Sequence, residues 1–215
     1  IGGHLAKKLK NQGFFVRVAD IKKHEYMAHE DICHEFIQCD LADPRAVEEV
    51  IFEDCYELYQ LAADMGGAGY IFTGLNDANV MTNSALINLN VAKEAVKKKV
   101  QKVFYSSSAC MYPEHNQLDP TNPNCVESSA YPANPDSEYG WEKLFSERLF
   151  LAYSRNYNLN VPPICVNIAS ISSSSSMPKP SAVASGCNTE PSNINLMLRA
   201  SMLARSQNED MSCDI

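Results

Sequence analysis

The chain has 215 residues, 45% hydrophobic and 20% charged, with a formal charge of -8. That suffices for one domain with a real core and not for two complete ones. The acidic balance argues against a nucleic-acid partner, which needs clustered Lys and Arg; no apolar stretch approaches the ~20 residues of a membrane span, and no signal-peptide core opens the chain.

The chain begins at Ile1-Gly2-Gly3 without an initiator Met, which reads as a truncated frame. His4 to Gln12 is predicted as the later turns of an amphipathic helix with Leu5, Ala6 and Leu9 on its apolar face, stopped by Gly13. Phe14 to Ala19 is a buried strand ending at Asp20, and Glu35 to Cys39 a second ending at Asp40. Pro44 to Ile51 is a short helix with Pro at its start. Glu57 to Ala62 is a third strand, Asn79 to Lys98 a long helix, and Lys102 to Ser106 a fourth strand. Lys97 to Lys99 close the long helix, where positive charge complements the helix dipole. A last helix runs from Ser137 to about Tyr153.

Strands alternating with helices imply an α/β fold with a doubly wound parallel sheet, whose ligands sit at the carboxyl ends of the strands. Beyond Val161 the character changes. Ser172 to Ser176 stand in a row, followed by Pro178, Pro180 and Pro191, a composition that buries too little apolar surface to offset chain entropy. The expected division is a partial nucleotide-binding domain over 1-161 and a divergent tail over 162-215, with a weak helix at Ile194 to Arg205. The eight cysteines include no Cys-x-x-Cys, so neither a metal site nor a disulfide framework is expected, and a reducing cytoplasm fits them.

At the cofactor end, Gly2 and Gly3 read as the tail of a glycine-rich turn. Asp20, closing its strand, can accept hydrogen bonds from both ribose hydroxyls of NAD and would repel a 2′-phosphate, although Lys22 and Lys23 soften that preference. Asp40 can meet the adenine or simply form a turn. Leu61-Ala62-Ala63-Asp64-Met65-Gly66-Gly67 offers small residues past which a cofactor can approach.

Tyr139-Gly140-Trp141-Glu142-Lys143 contains Tyr-x-x-x-Lys, which puts a phenol and an ammonium on one helix face. The ammonium is expected to lower the phenol from ~10, so that Tyr139 exchanges a proton with a sugar hydroxyl while hydride moves. Ser108 and Cys110 lie just past the fourth strand. If the backbone stays extended, they share a face, Ser108 hydrogen-bonding the reacting hydroxyl and the Cys110 thiol acting as a base.

The segments Ala62 to Gly67, Ser107 to Glu114 and Tyr139 to Lys143 resemble the extended short-chain dehydrogenase/reductases, and among them the GDP-mannose 3,5-epimerase family, over Ile1 to about Val161. The resemblance implies NAD as cofactor, a nucleotide sugar such as GDP-mannose as substrate, and a homodimer for the full-length parent. It makes Tyr139, Ser108 and Lys143 the group that oxidises the sugar at C4, and Cys110 one member of an acid/base pair. Gly66 falls near the substrate; Gly2, Asp20, Asp40, Leu61 and Ala63 fall near NAD. The family's first strand, its glycine-rich opening and its C-terminal substrate domain have no counterpart here. Lys179 is the one Lys after Lys143, and its neighbours do not match the lysine partner of the cysteine. The tail therefore reads as out-of-frame translation from about residues 161 to 165, and little activity is expected from the chain itself. GDP-fucose synthase also pairs a Cys with the catalytic Ser but generally uses NADPH, against Asp20. The other alternative is a non-catalytic nucleotide-binding remnant with an unfilled sheet position.

Overall fold

The computed structural model describes residues 1-119, 124-161 and, as backbone, 193-197. The order is α1 (Gly2–Asn11), β1 (Phe15–Asp20), α2 (His29–Ile32), β2 (Glu35–Gln38), α3 (Pro44–Val50), β3 (Cys55–Gln60), α4 (Ala68–Ile71), α5 (Asp77–Lys97), β4 (Lys102–Tyr105), α6 (Glu138–Tyr157) and β5 (Asn193–Met197). The predicted elements are present with ends shifted by a few residues. β3 starts at Cys55 and ends at Gln60, so that Leu61 and Ala62 belong to the loop, and α6 runs on to Tyr157.

All five strands are parallel, in the order β2-β1-β5-β3-β4. Side chains alternate along a strand, and the two faces of the sheet bury different partners. Val16 and Val18 pack with Ala6 and Leu9 of α1, whereas Ala19 joins Val47 and Val50 of α3, Ile87, Val91 and Ala95 of α5 and Phe150 of α6. The sheet is thus covered on both faces, as a doubly wound fold requires.

Two sequence readings are corrected. Ile194 to Met197 is strand rather than helix; a short apolar run does not carry enough period to tell the two apart. The rest of that predicted helix, 198-205, lies outside the described residues, as do the Ser-rich run and Lys179. The sheet position expected to stand empty is filled: β5 pairs with β1 through Phe15↔Asn193 to Ala19↔Met197, and with β3 on its other side. The sheet therefore draws one strand from beyond residue 161.

Local capping explains several boundaries. Asp43 accepts from the Arg45 backbone N–H at 2.9 Å and Pro44 occupies the first turn, so α3 starts where its sequence says. Lys97 and Lys98 do more than complement a dipole. Lys97 pairs with Glu48 at 2.5 Å, and Lys98 Nζ donates to the Ile51 carbonyl at 2.7 Å, which ties the end of α5 to α3.

Candidate functional site

Because the strands run one way, their carboxyl ends share an edge, with Ala19, Met197, Gln60 and Tyr105 in register across it. β1 and β4 stand three strand spacings apart, roughly 14 Å. Asp20 thus sits well along the edge from the Ser106–Met111 turn.

At the β4 end, Ser108 remains extended but Ala109–Met111 forms a 3-10 turn, with Ser108 Oγ accepting from the Cys110 N–H at 3.2 Å. The expected strand-like alternation of Ser108 and Cys110 is therefore replaced by a capped turn. A hydroxyl two residues before a free N–H favours that local bond over extended backbone. The turn still brings the groups together. Ser108 lies beside the Tyr139 phenol, where it favours the ionised form, and Cys110 packs against the cluster that holds Tyr139.

α6 begins at Ser137, whose Oγ accepts from the Gly140 N–H at 3.3 Å. Tyr139 and Lys143 lie one turn apart, both buried. Lys143 Nζ donates to the Ser106 carbonyl at 3.1 Å and stands 5.6 Å from the Tyr139 ring centre. Burial pushes the Tyr139 phenol up to about 12, partly offset by the neighbouring Ser108 hydroxyl; the nearby Cys110 and Glu142 push it the same way as burial. This differs from the lowered value read from the sequence. Desolvation dominates at the phenol, and the Lys143 ammonium is itself pushed down by burial and held up by Glu142 and Cys110.

Behind these residues lies a polar network that the sequence reading missed. Gln60 Nε2 donates to Asn88 Oδ1 at 2.7 Å, and Asn88 Nδ2 donates to Glu142 Oε1 at 3.0 Å and to Ser146 Oγ at 2.9 Å. Ser146 also donates to Glu142 at 2.5 Å. Burial raises the Glu142 carboxyl, and its second oxygen has no hydrogen-bond partner. The available signal was placement. Ser84 and Asn88 interrupt the apolar face of α5 between Val80, Ile87 and Val91, and Glu142 and Ser146 are four apart on α6. A second set surrounds Asp64, which accepts from Asn83 Nδ2 at 2.6 Å and from the Tyr70 hydroxyl at 3.3 Å.

The cofactor candidates spread along the rest of the edge. Asp20 is buried at the end of β1, its Oδ1 accepting from the Lys22 N–H at 3.1 Å. Asp40 is exposed and accepts from the Ala42 N–H at 3.0 Å, the turn alternative. Gly2 is half-buried in the first turn of α1, and Ile1 before that helix makes no side-chain cap. Ala63 is fully buried, and Leu61 packs on the α1 side of the sheet. Gly66 is covered by Tyr70: a Cβ there would lie 2.7 Å from the Tyr70 Cβ. Among the described residues, Cys110 carries a free thiol.

A twisted parallel sheet with a serine turn and a Tyr-x-x-x-Lys helix converging at its carboxyl edge defines the Rossmann-type dehydrogenase/reductase class. The chain belongs to the NAD dependent epimerase/dehydratase family, whose sequence profile matches residues 1–186. It is 38% identical over 161 residues to GDP-mannose 3,5-epimerase of Arabidopsis thaliana and, equally, to GDP-mannose 3,5-epimerase 1 of Oryza sativa subsp. indica. The match covers 74% of this chain and 41% of each relative, so the chain spans about two fifths of their length. Among solved structures, UDP-glucose 4-epimerase of Thermus thermophilus in complex with NAD aligns with TM-score 0.60 and 22% identity, over 74% of this chain and 49% of that one. At that identity the likeness speaks for the fold.

Proposed function

We propose that this chain is the cofactor-binding and reactive half of a nucleotide-sugar epimerase of the GDP-mannose 3,5-epimerase kind, working with NAD. The observation that carries this is the convergence of Ser108, Cys110, Tyr139 and Lys143 on one turn and one helix face. Asp20 fits a ribose, being a buried carboxylate at a strand end, and Lys143 is a buried ammonium at the reaction end. NAD, when bound, would take hydride from the sugar C4 and return it. Tyr139 receives the C4 hydroxyl proton, with Ser108 holding that oxygen. A phenol at about 12 does this only with cationic help, which Lys143 is placed to give. The resulting C4 ketone acidifies the hydrogens on C3 and C5. Cys110 then removes or returns one of those protons while a second group serves the opposite face.

The parent enzyme pairs as a homodimer in this reading. Met81 and Leu89 on α5 and Trp141 and Phe145 on α6 are exposed apolar side chains on two helices that pack together. The substrate is a GDP-linked hexose and the setting cytoplasmic.

Titration of the purified chain with NAD, followed by the fluorescence of its single tryptophan, Trp141, tests the reading. Saturable quenching is expected, weakened at least about tenfold by Asp20→Ala, as loss of a charge-assisted hydrogen bond implies. A chain that does not bind NAD would overturn the cofactor assignment.

A further inference from the structure

Glycine is a poor helix former, yet Gly140 lies buried in the first turn of α6, between Tyr139 and Trp141. A Cβ built on it would lie 2.1 Å from the Cys110 carbonyl oxygen, 3.0 Å from that carbonyl carbon and 2.9 Å from the Pro135 Cβ. The first two atoms are backbone, so no rotamer change relieves them. Gly3 and Gly66 are also crowded, but by the side chains of His24 and Met27 and of Tyr70, while Gly67 and Gly69 face open space. Among the described glycines with crowded surroundings, Gly140 alone has its missing side chain replaced by the main chain of another segment.

We propose that Gly140 is a positioning residue: its bare Cα seats the Cys110 carbonyl, so the serine–cysteine turn and the tyrosine helix move as one body. The proposal rests on reading Ser108, Cys110, Tyr139 and Lys143 as the reactive group. Residue 140 is held on two sides, its N–H by Ser137 and its Cα by Cys110. Ordinary van der Waals contact starts at 3.4 Å, so an alanine drives the turn and the helix more than 1 Å apart. That separation draws Ser108 away from Tyr139 and uncovers Cys110, which packs against the Tyr139 cluster.

The test uses the full chain and follows iodoacetamide alkylation of each cysteine by mass spectrometry under native conditions. Cys33 and Cys55, buried elsewhere in the fold, report general loosening. Gly140→Ala is expected to speed alkylation of Cys110 at least fivefold and to leave Cys33 and Cys55 unchanged. An unchanged Cys110 rate, or a rise shared by all three thiols in a folded protein, overturns the proposal. If Gly140→Ala does not fold, Ser137→Ala decides. It frays the first turn of α6 without filling the contact, and coupling predicts a twofold or greater rise at Cys110 alone; no rise refutes it. NAD binding is measured on the same samples. Its absence in the unsubstituted chain would remove the cofactor reading and leave the alkylation contrast standing.

Discussion

At the ends of β1 and β2, Asp20 accepts from the Lys22 N–H, Asp40 accepts from the Ala42 N–H, and Gln38 donates to the Ile21 carbonyl at the neighbouring strand end. At the ends of β3 and β4, local bonds such as those between Gln60 and Ala62 are joined by bonds that run across the fold. Gln60 reaches Asn88 on α5, Asn88 reaches Glu142 and Ser146 on α6, and Lys143 returns to Ser106 beside β4. The first arrangement is the more modular, since these bonds stay within the turns of two neighbouring strands. The second is collective, since buried polar groups strand one another when one is removed. Proton chemistry gains from the collective kind, because a phenol and a thiol must hold a relative position that no single turn can set.

Asn88→Ala breaks this contrast hardest. It takes one partner from Gln60 and one from Glu142 in a site without access to water. The expected loss is about 3 kcal/mol, the upper end for stranding buried polar groups. Urea unfolding measures it. A loss below about 1 kcal/mol would mean that the network is a set of independent bonds.

Glu142→Gln sharpens the same comparison through pH. Burial raises the Glu142 carboxyl above its ordinary 4.5, while Lys143, Ser146 and Asn88 pull it down. The folded state therefore holds this proton more tightly than the unfolded state. The stability it brings is complete below the ordinary value and is lost as pH rises through the folded one. Glutamine has no such proton. The variant should thus gain on the parent chain over the window that opens as pH rises above about 4.5, read as the shift in urea midpoint difference. A difference that stays flat over that window would show Glu142 titrating as an exposed carboxylate does.

The same division explains what the sequence let one read. Turn and cap signals are local, so Pro44 marked the start of α3 and Ser137 the start of α6. The i, i+4 spacing of Tyr139 and Lys143 is likewise local, and the structure keeps it. What stayed hidden depends on distant partners. The Gln60–Asn88–Glu142 chain spans separations of 28 and 54 residues. β5 finds its place between β1 and β3 through pairing with chain more than 130 positions away, which no short apolar run announces. The direction of the Tyr139 shift was missed for the same reason, because the surroundings that desolvate it come from other elements.

The smallest effect belongs to Asp40→Ala, and it decides between two readings of one carboxylate. The exposed Asp40 accepts from the Ala42 N–H and so closes its own turn at the end of β2. Losing that bond at a solvated position should cost no more than about 0.5 kcal/mol. A turn-forming role also leaves NAD affinity within about twofold, far from the roughly tenfold loss expected for Asp20→Ala. Asp20 differs because it is buried, where an acceptor for ribose hydroxyls is worth more than in water. A tenfold loss of affinity in Asp40→Ala with unchanged stability would reverse this assignment. The adenine would then reach across to β2, and the modular end of the edge would share in binding rather than merely bound it.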